Sequence, residues 1–231
     1  MDLDLALRTT GAVREFTGDP VADDVVYRLL DAARFAPSGG NRQAWKVIVV
    51  KDPALRARLR DLYLVGWSEY LAMRSAGLVP WAPVTDRDAE GAALQRASQG
   101  SPRTAVNLGD FAEHLDRVPV LLVLLADLRG LAAADRDLPR YTLVGGASIY
   151  PFAWSILLAA HGEGLGGVFT TMLVRSEGEV LPALGIPEGW VLAGALALGY
   201  PAGAGRATRL RREPVERFAS TDRFDGPPFA A

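Results

Sequence analysis

The feature that most constrains this chain is a run of small and amide residues between a helical pattern and a β-branched one. Residues 36–45 read Ala-Pro-Ser-Gly-Gly-Asn-Arg-Gln-Ala-Trp and lead directly into Lys-Val-Ile-Val-Val at 46–50. Gly39 and Gly40 allow the backbone to approach a ligand closely, and Ser38, Asn41 and Gln43 offer uncharged hydrogen-bonding groups. Such a turn suits a flat, polar, uncharged heterocycle or a polyol better than acid–base catalysis. An ordinary helix-to-strand loop explains the same residues equally well.

Composition restricts the chemistry that the chain can support. The 231 residues are 49% hydrophobic and 23% charged, which is typical of a globular protein, and the net charge is −2. This charge gives no support for nucleic-acid binding, which needs a basic face. There is no cysteine, and the histidines are His114 and His161 alone. Thiol nucleophiles, disulfides, thiolate metal sites and multi-histidine metal sites are therefore excluded.

The sequence gives no support for a membrane partner. The longest apolar run, 118–126, is about half the length that a membrane-spanning helix needs. The first residues, Met-Asp-Leu-Asp, are acidic and lack the basic-then-apolar order of a secretion signal. We therefore expect a cytoplasmic protein.

Alternating periodicities predict a single α+β domain over residues 1–231. The predicted helices cover 2–9, 21–35, 53–76, 109–115, 144–161 and 177–184, and the predicted strands cover 45–50, 118–126, 168–172 and 191–200. Pro151 either kinks the fifth helix or marks its true start. Residues 77–107 are rich in Pro, Gly, Ser and Asp, which predicts a long mobile insertion that varies with function. The C-terminal extension, 201–231, lacks periodicity and is expected to wrap over other structure.

Two familiar catalytic motifs fit the sequence poorly. Residues 162–167 match G-x-G-x-x-G, but the dinucleotide fingerprint needs a strand before it and a helix after it, and here the order is reversed. A helix stop followed by a tight turn explains these glycines better. The serines lack a G-x-S-x-G motif, and the acidic residues show no paired-carboxylate pattern.

Arginines and aromatic residues are the remaining candidates. A guanidinium fork binds a phosphate monoester bidentately, and two forks from distant parts of a chain can share one phosphate. Arg14 stands alone in an apolar-flanked run, and a later cluster contains Arg206, Arg209, Arg211 and Arg212. By itself that cluster is better explained as a solvated basic tail. Trp67, Tyr70 and Trp81 flank the insertion, where core packing is the commoner role and stacking on a planar substrate is the alternative.

The order of these motifs resembles the FMN-dependent nitroreductase family. The matching pieces are Arg14-Glu15-Phe16, Pro20-Val21, Ala36 to Trp45, Val118-Pro119-Val120-Leu121, Gly164-Leu165-Gly166, Thr170-Thr171, Leu198-Gly199-Tyr200-Pro201 and Arg212-x-Pro214-Val215. They span about residues 8–218. The resemblance implies a nitroreductase-like α+β fold with a central mixed sheet flanked by helices. It also implies a homodimer that exchanges terminal segments and binds FMN at its interface.

The resemblance implies a cofactor site drawn from separate parts of the chain. The expected FMN-binding residues are Arg14, Pro37, Ser38, Gly39, Asn41, Gln43, Thr170, Thr171, Met172, Arg211 and Arg212. Arg14 and Arg212 would hold the phosphate, the 37–43 turn would line the ribityl chain and ring, and residues 170–172 would border the ring near its reactive nitrogen. The flavin itself would carry the redox chemistry, so no catalytic side chain is expected.

One departure from the family concerns the phosphate end of this site. Where the family usually has R-R-S-x-R, this chain has Thr-Gly-Ala-Val-Arg at 10–14, so two basic residues and one hydroxyl are missing. A lost charge-assisted contact typically costs about 1.5–3 kcal/mol. Weaker FMN binding is therefore expected unless Arg8, Arg209 or Arg211 compensates.

The leading functional hypothesis is an enzyme that takes hydride from NADH or NADPH and passes electrons through FMN to a small planar acceptor. A nitroaromatic or a quinone would be typical acceptors, and Trp67, Tyr70 and Trp81 are candidate substrate contacts. One alternative is a non-catalytic protein that binds or sequesters flavin. Another is a related flavin enzyme, such as a reductive dehalogenase, a flavin-fragmenting enzyme or an azoline oxidase.

Overall fold

Four strands form the central sheet in the computed structural model, which describes residues 2–99, 111–203 and 210–230. The strands are β1 (Trp45–Val49), β2 (Val120–Asp127), β3 (Gly166–Thr170) and β4 (Trp190–Gly199), in the order β1-β2-β4-β3. Every neighbouring pair is antiparallel. Within the described ranges the parallel pairing of the expected mixed sheet is limited to an isolated bridge between Ala12 and Gly167. The N-terminal segment therefore runs beside β3 at the edge of the sheet.

The α-helices of the described ranges lie close to the predicted positions, with one addition. They are α1 (Leu3–Thr9), α2 (Asp23–Ala33), α3 (Pro53–Ser75), α4 (Arg87–Gln99), α5 (Tyr150–Gly162) and α6 (Glu177–Ala183). Pro151 lies in the first turn of α5, after a short 3-10 helix at Val144–Ser148. It therefore marks the start of that helix, because proline needs no hydrogen-bonded N–H there.

The sheet separates two apolar cores. Along β2, Leu121 and Val123 face a core built with α3 and α6, while Leu122 and Leu124 face a core built with α2 and α5. Successive side chains of a strand point to opposite faces, so a strand covered on both faces must be apolar throughout. This explains the continuous apolar run of β2. The apolar helix α5 is not buried on every side, because Tyr150 and Trp154 remain exposed.

The prediction of a mobile insertion over 77–107 is wrong in part, because α4 lies within it. The Oδ1 atom of Asp86 accepts hydrogen bonds from the N–H groups of Asp88 and Ala89, both at 3.0 Å. This is the N-cap arrangement that starts a helix. Glu90 and Ala93 are buried, and Glu90 pairs with Arg87 at 2.8 Å. The missed signal is an aspartate cap followed by an alanine-rich stretch of good helix formers.

Two other segments differ from the sequence expectation or lie partly beyond the description. Residues 111–114 form a turn that leads into a 3-10 helix at Leu115–Arg117, so the α-helix predicted at 109–115 is wrong there. Residues 100–110 and 204–209 lie outside the described ranges. Residues 210–230 contain one 3-10 turn and an isolated bridge between Ser220 and Pro228, in agreement with the absence of periodicity.

Candidate functional site

The turn before β1 is a compact loop held by its own side chains. The Gln43 N–H donates to Ser38 Oγ at 3.0 Å, and Gln43 Nε2 donates to Asn41 Oδ1 at 3.3 Å. Gly40, Asn41 and Gln43 all have positive φ, at 61°, 52° and 50°. Glycine and asparagine accept this left-handed conformation at low cost, and glutamine pays more for it. Pro37 is exposed at the start of the turn. The turn is therefore a preformed polar surface.

The turn is anchored on the connection between β2 and α5. The Gly39 N–H donates to Ser148 Oγ at 3.0 Å, and Arg42 Nε donates to the Gly130 carbonyl at 2.8 Å. A Cβ added to Gly39 would lie only 3.0 Å from Ala132 Cβ. A side chain at position 39 would therefore crowd this connection, and the close ligand approach expected from the sequence stays a prediction.

The connection itself is organised by Asp135, which sequence reasoning missed. The Asp135 carboxylate is almost fully buried and accepts from Leu143 N at 2.7 Å, Val144 N at 3.2 Å and Arg140 Nη1 at 2.8 Å. The Leu143 N–H is the largest of several causes that lower the pKa of this carboxyl. Asp135 therefore fixes the start of the 3-10 helix that carries Ser148. An isolated aspartate in a polar loop gives no sequence signal for this role.

A second set of predicted site residues meets at the opposite edge of the sheet. Thr170, at the end of β3, shares a hydrogen bond of 3.1 Å between its Oγ1 and the Tyr63 hydroxyl. Burial raises the pKa of Tyr63, while the hydrogen bond with Thr170 and the positive charge of Arg14 act in the opposite direction. Arg14 is brought to this edge by the Ala12 bridge to β3. Thr170 thus bonds to Tyr63, which the sequence did not identify, and Arg14 lies near enough for its charge to act on the same phenol.

Residues 170–172 lie unusually close to α3. A Cβ added to Gly66 would lie 2.5 Å from the Met172 carbonyl oxygen, so only glycine permits this approach. Ser176 Oγ donates to the Leu62 carbonyl at 3.1 Å and extends the contact. Thr171 is exposed, whereas Thr170 and Met172 are half-buried. A glycine in the middle of a long helix was the available signal for this close approach.

The predicted substrate contacts form one cluster beside residues 170–172. The rings of Trp67 and Tyr70 are stacked, with centroids 5.4 Å apart, and Trp81 lies 6.2 Å from Tyr70. The Arg175 guanidinium lies 5.5 Å from the Trp81 ring and is held by Glu69 at 2.6 Å. On α3 the spacing 63, 66/67, 70 places these positions on one helix face. The aromatic cluster therefore continues the face that contacts Thr170.

Within one chain the 37–43 turn and the region around Thr170, which are the two halves of the predicted site, are far apart. The turn precedes β1 and residues 170–172 follow β3, and these strands are the two edges of the sheet. Three strand spacings separate the edges by about 14 Å. Within the described part of one chain, the 37–43 turn and the Thr170 region therefore lie at opposite edges of the sheet.

The predicted phosphate-binding arginines lie in different surroundings in the single chain. Arg14 lines a cavity of about 350 Å³ together with Arg117 and His114, and neither Arg211 nor Arg212 lines it. Arg211 and Arg212 are exposed, and Arg212 Nη1 donates to the Arg211 carbonyl at 2.8 Å. Arg212 therefore does not line this cavity together with Arg14, and their convergence on one phosphate stays a prediction for the dimer.

The other proposed replacements are Arg8 and Arg209. Arg8 is engaged with Asp4 at 2.9 Å on the exposed face of α1, and it does not line the cavity that Arg14 lines. Arg206 and Arg209 lie outside the described residues.

A family model decides the relationship that the motifs suggested. The model described as the Nitroreductase family matches residues 7–200. The chain belongs to the Nitroreductase family. This membership confirms the predicted fold and the prediction of an FMN-dependent NAD(P)H oxidoreductase at the level of the family.

Individual relatives differ in what they are named for. The NADH dehydrogenase of Thermus thermophilus is 28% identical over 218 residues, which are 94% of this chain and 94% of that protein. Iodotyrosine deiodinase 1 of Rattus norvegicus is 28% identical over 211 residues, which are 91% of this chain, and the alignment covers 66% of the deiodinase. Among solved structures, the NADPH:FMN oxidoreductase from Vibrio harveyi complexed with NAD⁺ has a TM-score of 0.63 at 18% identity. That match covers 95% of this chain and 76% of the other, and it concerns the fold.

Two further findings concern membrane-spanning helices and metal sites. Within residues 2–99, 111–203 and 210–230, no helix is both long and apolar enough to cross a bilayer. In the same ranges, no three His, Asp or Glu side chains are grouped so that they would hold a metal ion.

Proposed function

We propose that this protein is a homodimeric FMN enzyme that passes electrons from NADH or NADPH to a small planar acceptor, such as a nitroaromatic or a quinone. The observation that carries this proposal is the division of the predicted flavin site between the two edges of the sheet. A two-fold dimer brings different parts of the same surface together, because each copy contributes both parts. The turn of one copy would then face residues 170–172 of the second copy.

The residues at the two edges suit FMN in different ways. The 37–43 turn offers uncharged hydrogen-bonding groups on a preformed loop, as the polyol chain and the heterocyclic ring of FMN require. At the other edge Thr170 and Thr171 would border the ring, and Arg14 would meet the phosphate. When bound, FMN supplies reversible electron transfer between the nicotinamide and the acceptor. The protein contributes binding, orientation and the exclusion of water.

Exposed apolar side chains support the homodimer. Leu143 and Tyr150 are 78% and 49% exposed, and they flank the 3-10 helix that carries Ser148. In the C-terminal extension, Phe218, Phe224 and Phe229 are also exposed. Exposed apolar surface is typical of places where another protein chain binds. A dimer that covers Leu143 and Tyr150 would bury surface next to the helix whose Ser148 anchors the 37–43 turn.

The aromatic cluster favours a planar acceptor. Trp67 and Tyr70 follow Tyr63 on one face of α3, and the interval from 63 to 70 corresponds to about 10 Å along the helix axis. An aromatic acceptor that stacks against this face would lie beside the residues that border the flavin ring. Trp67, Tyr70 and Trp81 are therefore proposed as the acceptor side of the site.

The similarity to iodotyrosine deiodinase 1 favours reductive dehalogenation as a second candidate. In that reaction the carbon–halogen bond of a haloaromatic is replaced by carbon–hydrogen. Two electrons from the reduced flavin and one proton are consumed, and halide is released. The same planar acceptor site would serve both reactions.

Spectroscopy of the purified protein tests the proposed function. We expect flavin absorbance in the protein as purified or after reconstitution with FMN, and bleaching when NADH or NADPH is added without oxygen. Turnover with nitroaromatics, quinones and haloaromatics, with halide release measured for the last, separates the two candidates. A protein that binds no FMN, or whose bound FMN neither nicotinamide reduces, would contradict the proposal.

A further inference from the structure

The cavity beside Arg14 contains more positive charge than the sequence comparison suggested. It is lined by Arg14, Glu15, Phe16, Arg117, His114 and the Val118–Pro119 backbone region, with a volume of about 350 Å³. Cavities of this size hold small ligands or one end of a larger one. The two guanidinium groups come from segments that are a hundred residues apart in the sequence.

These two arginines differ from the arginines of the described residues that pair with carboxylates. Arginines such as Arg28, Arg60 and Arg129 form ion pairs with carboxylates at 2.8–3.1 Å. Neither Arg14 nor Arg117 has a carboxylate partner among the described residues. Positive charges that line a cavity and lack an internal partner are available to an anionic ligand.

Arg117 stands on a well-anchored segment. It ends the 3-10 helix that begins at the fully buried Leu115. Asp116 pairs with Arg60 at 3.1 Å, and Arg56 Nη2 donates to the Val118 carbonyl. Both bonds tie this segment to α3. The backbone on each side of Arg117 is therefore fixed before a ligand arrives, which lowers the entropic cost of binding.

We propose that Arg14 and Arg117 form a phosphomonoester site, in which Arg117 supplies the second guanidinium that the missing basic motif would have supplied. This inference rests on the proposed function. Two ligands of such an enzyme carry a phosphomonoester, namely FMN and, through its 2′-phosphate, NADPH. Arg14 connects the cavity to the flavin side of the site, because the bridge between Ala12 and Gly167 places its segment beside β3, which ends at Thr170. Glu15 is the acidic group in the lining and opposes the binding of any anion.

Matched ligand pairs isolate the contribution of a single phosphate group. Riboflavin lacks the phosphate of FMN, and NADH lacks the 2′-phosphate of NADPH. Equilibrium dissociation constants for all four ligands would be measured by fluorescence titration for the wild type, Arg117→Ala, Glu15→Gln and Arg58→Ala. Arg58 is an exposed arginine on α3 outside the cavity lining and controls for a general loss of positive charge.

We expect the dissociation constants to change selectively in one of the two ligand pairs. Arg117→Ala should weaken the phosphate-bearing member by about tenfold or more, while its phosphate-free counterpart changes little. Glu15→Gln should strengthen binding of the same member, and Arg58→Ala should leave the ratio within each pair unchanged. Selectivity in the flavin pair assigns the site to the FMN phosphate, and selectivity in the nicotinamide pair assigns it to NADPH. Glu15→Gln keeps the test decisive if Arg117→Ala fails to fold.

Two failures are distinguishable. If the wild type binds both flavins but Arg117→Ala and Glu15→Gln change neither ratio, the phosphomonoester site is overturned and the proposed function stands. If the wild type binds neither FMN nor riboflavin, the proposed function fails and this inference fails with it.

Discussion

The two halves of the proposed site are built in different ways. The turn before β1 is local, since Ser38, Asn41 and Gln43 bond to one another within a few residues. The half at the other edge is assembled from distant segments: Tyr63 of α3 bonds to Thr170 of β3, and the bridge at Ala12 brings the Arg14 segment beside the same strand. A local turn keeps its shape wherever its flanks are held. An assembled half depends on close packing between elements, and we therefore expect it to be the more sensitive to mutation.

The largest effect is expected at Gly66, where α3 meets the Met172 carbonyl. Gly66→Ala places a Cβ within 2.5 Å of that oxygen, so the helix or residues 170–172 must move. Such overpacking typically costs about 1–3 kcal/mol of the free energy of unfolding. The check is thermal or urea denaturation together with FMN titration, in which both stability and flavin affinity should fall.

Gly178→Ala is the matched control for this substitution. Gly178 is also in a helix, but nothing lies within 4 Å of an added Cβ. Alanine should stabilise this helix by about 0.5–1 kcal/mol, because it is the better helix former. If Gly66→Ala and Gly178→Ala change stability and FMN affinity equally, close packing is not what makes the half around Thr170 sensitive to mutation.

A smaller effect is expected from Asp135→Asn, which tests how the local half is held. The amide keeps the size of the side chain but loses the charge that attracts the N–H groups of Leu143 and Val144. The connection that carries Ser148 should loosen, and the unfolding midpoint and FMN affinity should fall. Asp137→Asn is the control, because Asp137 is an exposed neighbour paired only with Arg136 among the described residues.

The same variant has a defined pH signature. The pKa of Asp135 is lowered in the folded protein, so its contribution to stability is present above the unfolded pKa and is lost as the pH falls through the folded pKa. The difference in unfolding free energy between wild type and Asp135→Asn should therefore be largest near neutral pH and shrink below about pH 4. A difference that stays constant down to the acid limit would mean that the charge is not responsible.

The smallest effect on stability is expected from Glu69→Gln, beside the aromatic cluster. This substitution breaks the contact with Arg175, which is a partly exposed ion pair. Pairs of this kind contribute about 0–1 kcal/mol, so the unfolding midpoint should hardly move. The KM for an aromatic acceptor should change, because Arg175 is also packed over Trp81. Asp31→Asn breaks the Arg34 pair on α2 and should alter neither quantity.

The local signals of the sequence were sufficient to locate most elements of the fold and the 37–43 turn of the proposed site. Periodicity located the strands and five of the helices, and the small-residue run located the turn, because both kinds of signal depend on neighbours in sequence. Helix α4 was missed because the Pro- and Gly-rich flanks masked an aspartate cap. Tyr63, Gly66, Asp135 and Arg117 were missed because their roles depend on contacts across the fold. A tyrosine or arginine in a helical or turn pattern carries no sign of its distant partner.

The most direct test of the divided site is complementation between two inactive variants. Gly39→Leu disrupts the turn against Ala132, and Arg14→Glu reverses the charge at the other edge. If each site combines edges from two copies, a mixed dimer holds one intact site and one doubly altered site.

The measurement is flavin binding and NAD(P)H-dependent flavin reduction after the two variants are unfolded together and refolded. The account predicts little activity for each variant alone and recovery to about a quarter of the wild-type sites in the mixture, since random pairing makes half of the dimers mixed. No recovery in a mixture that demonstrably contains mixed dimers would contradict a site shared between copies.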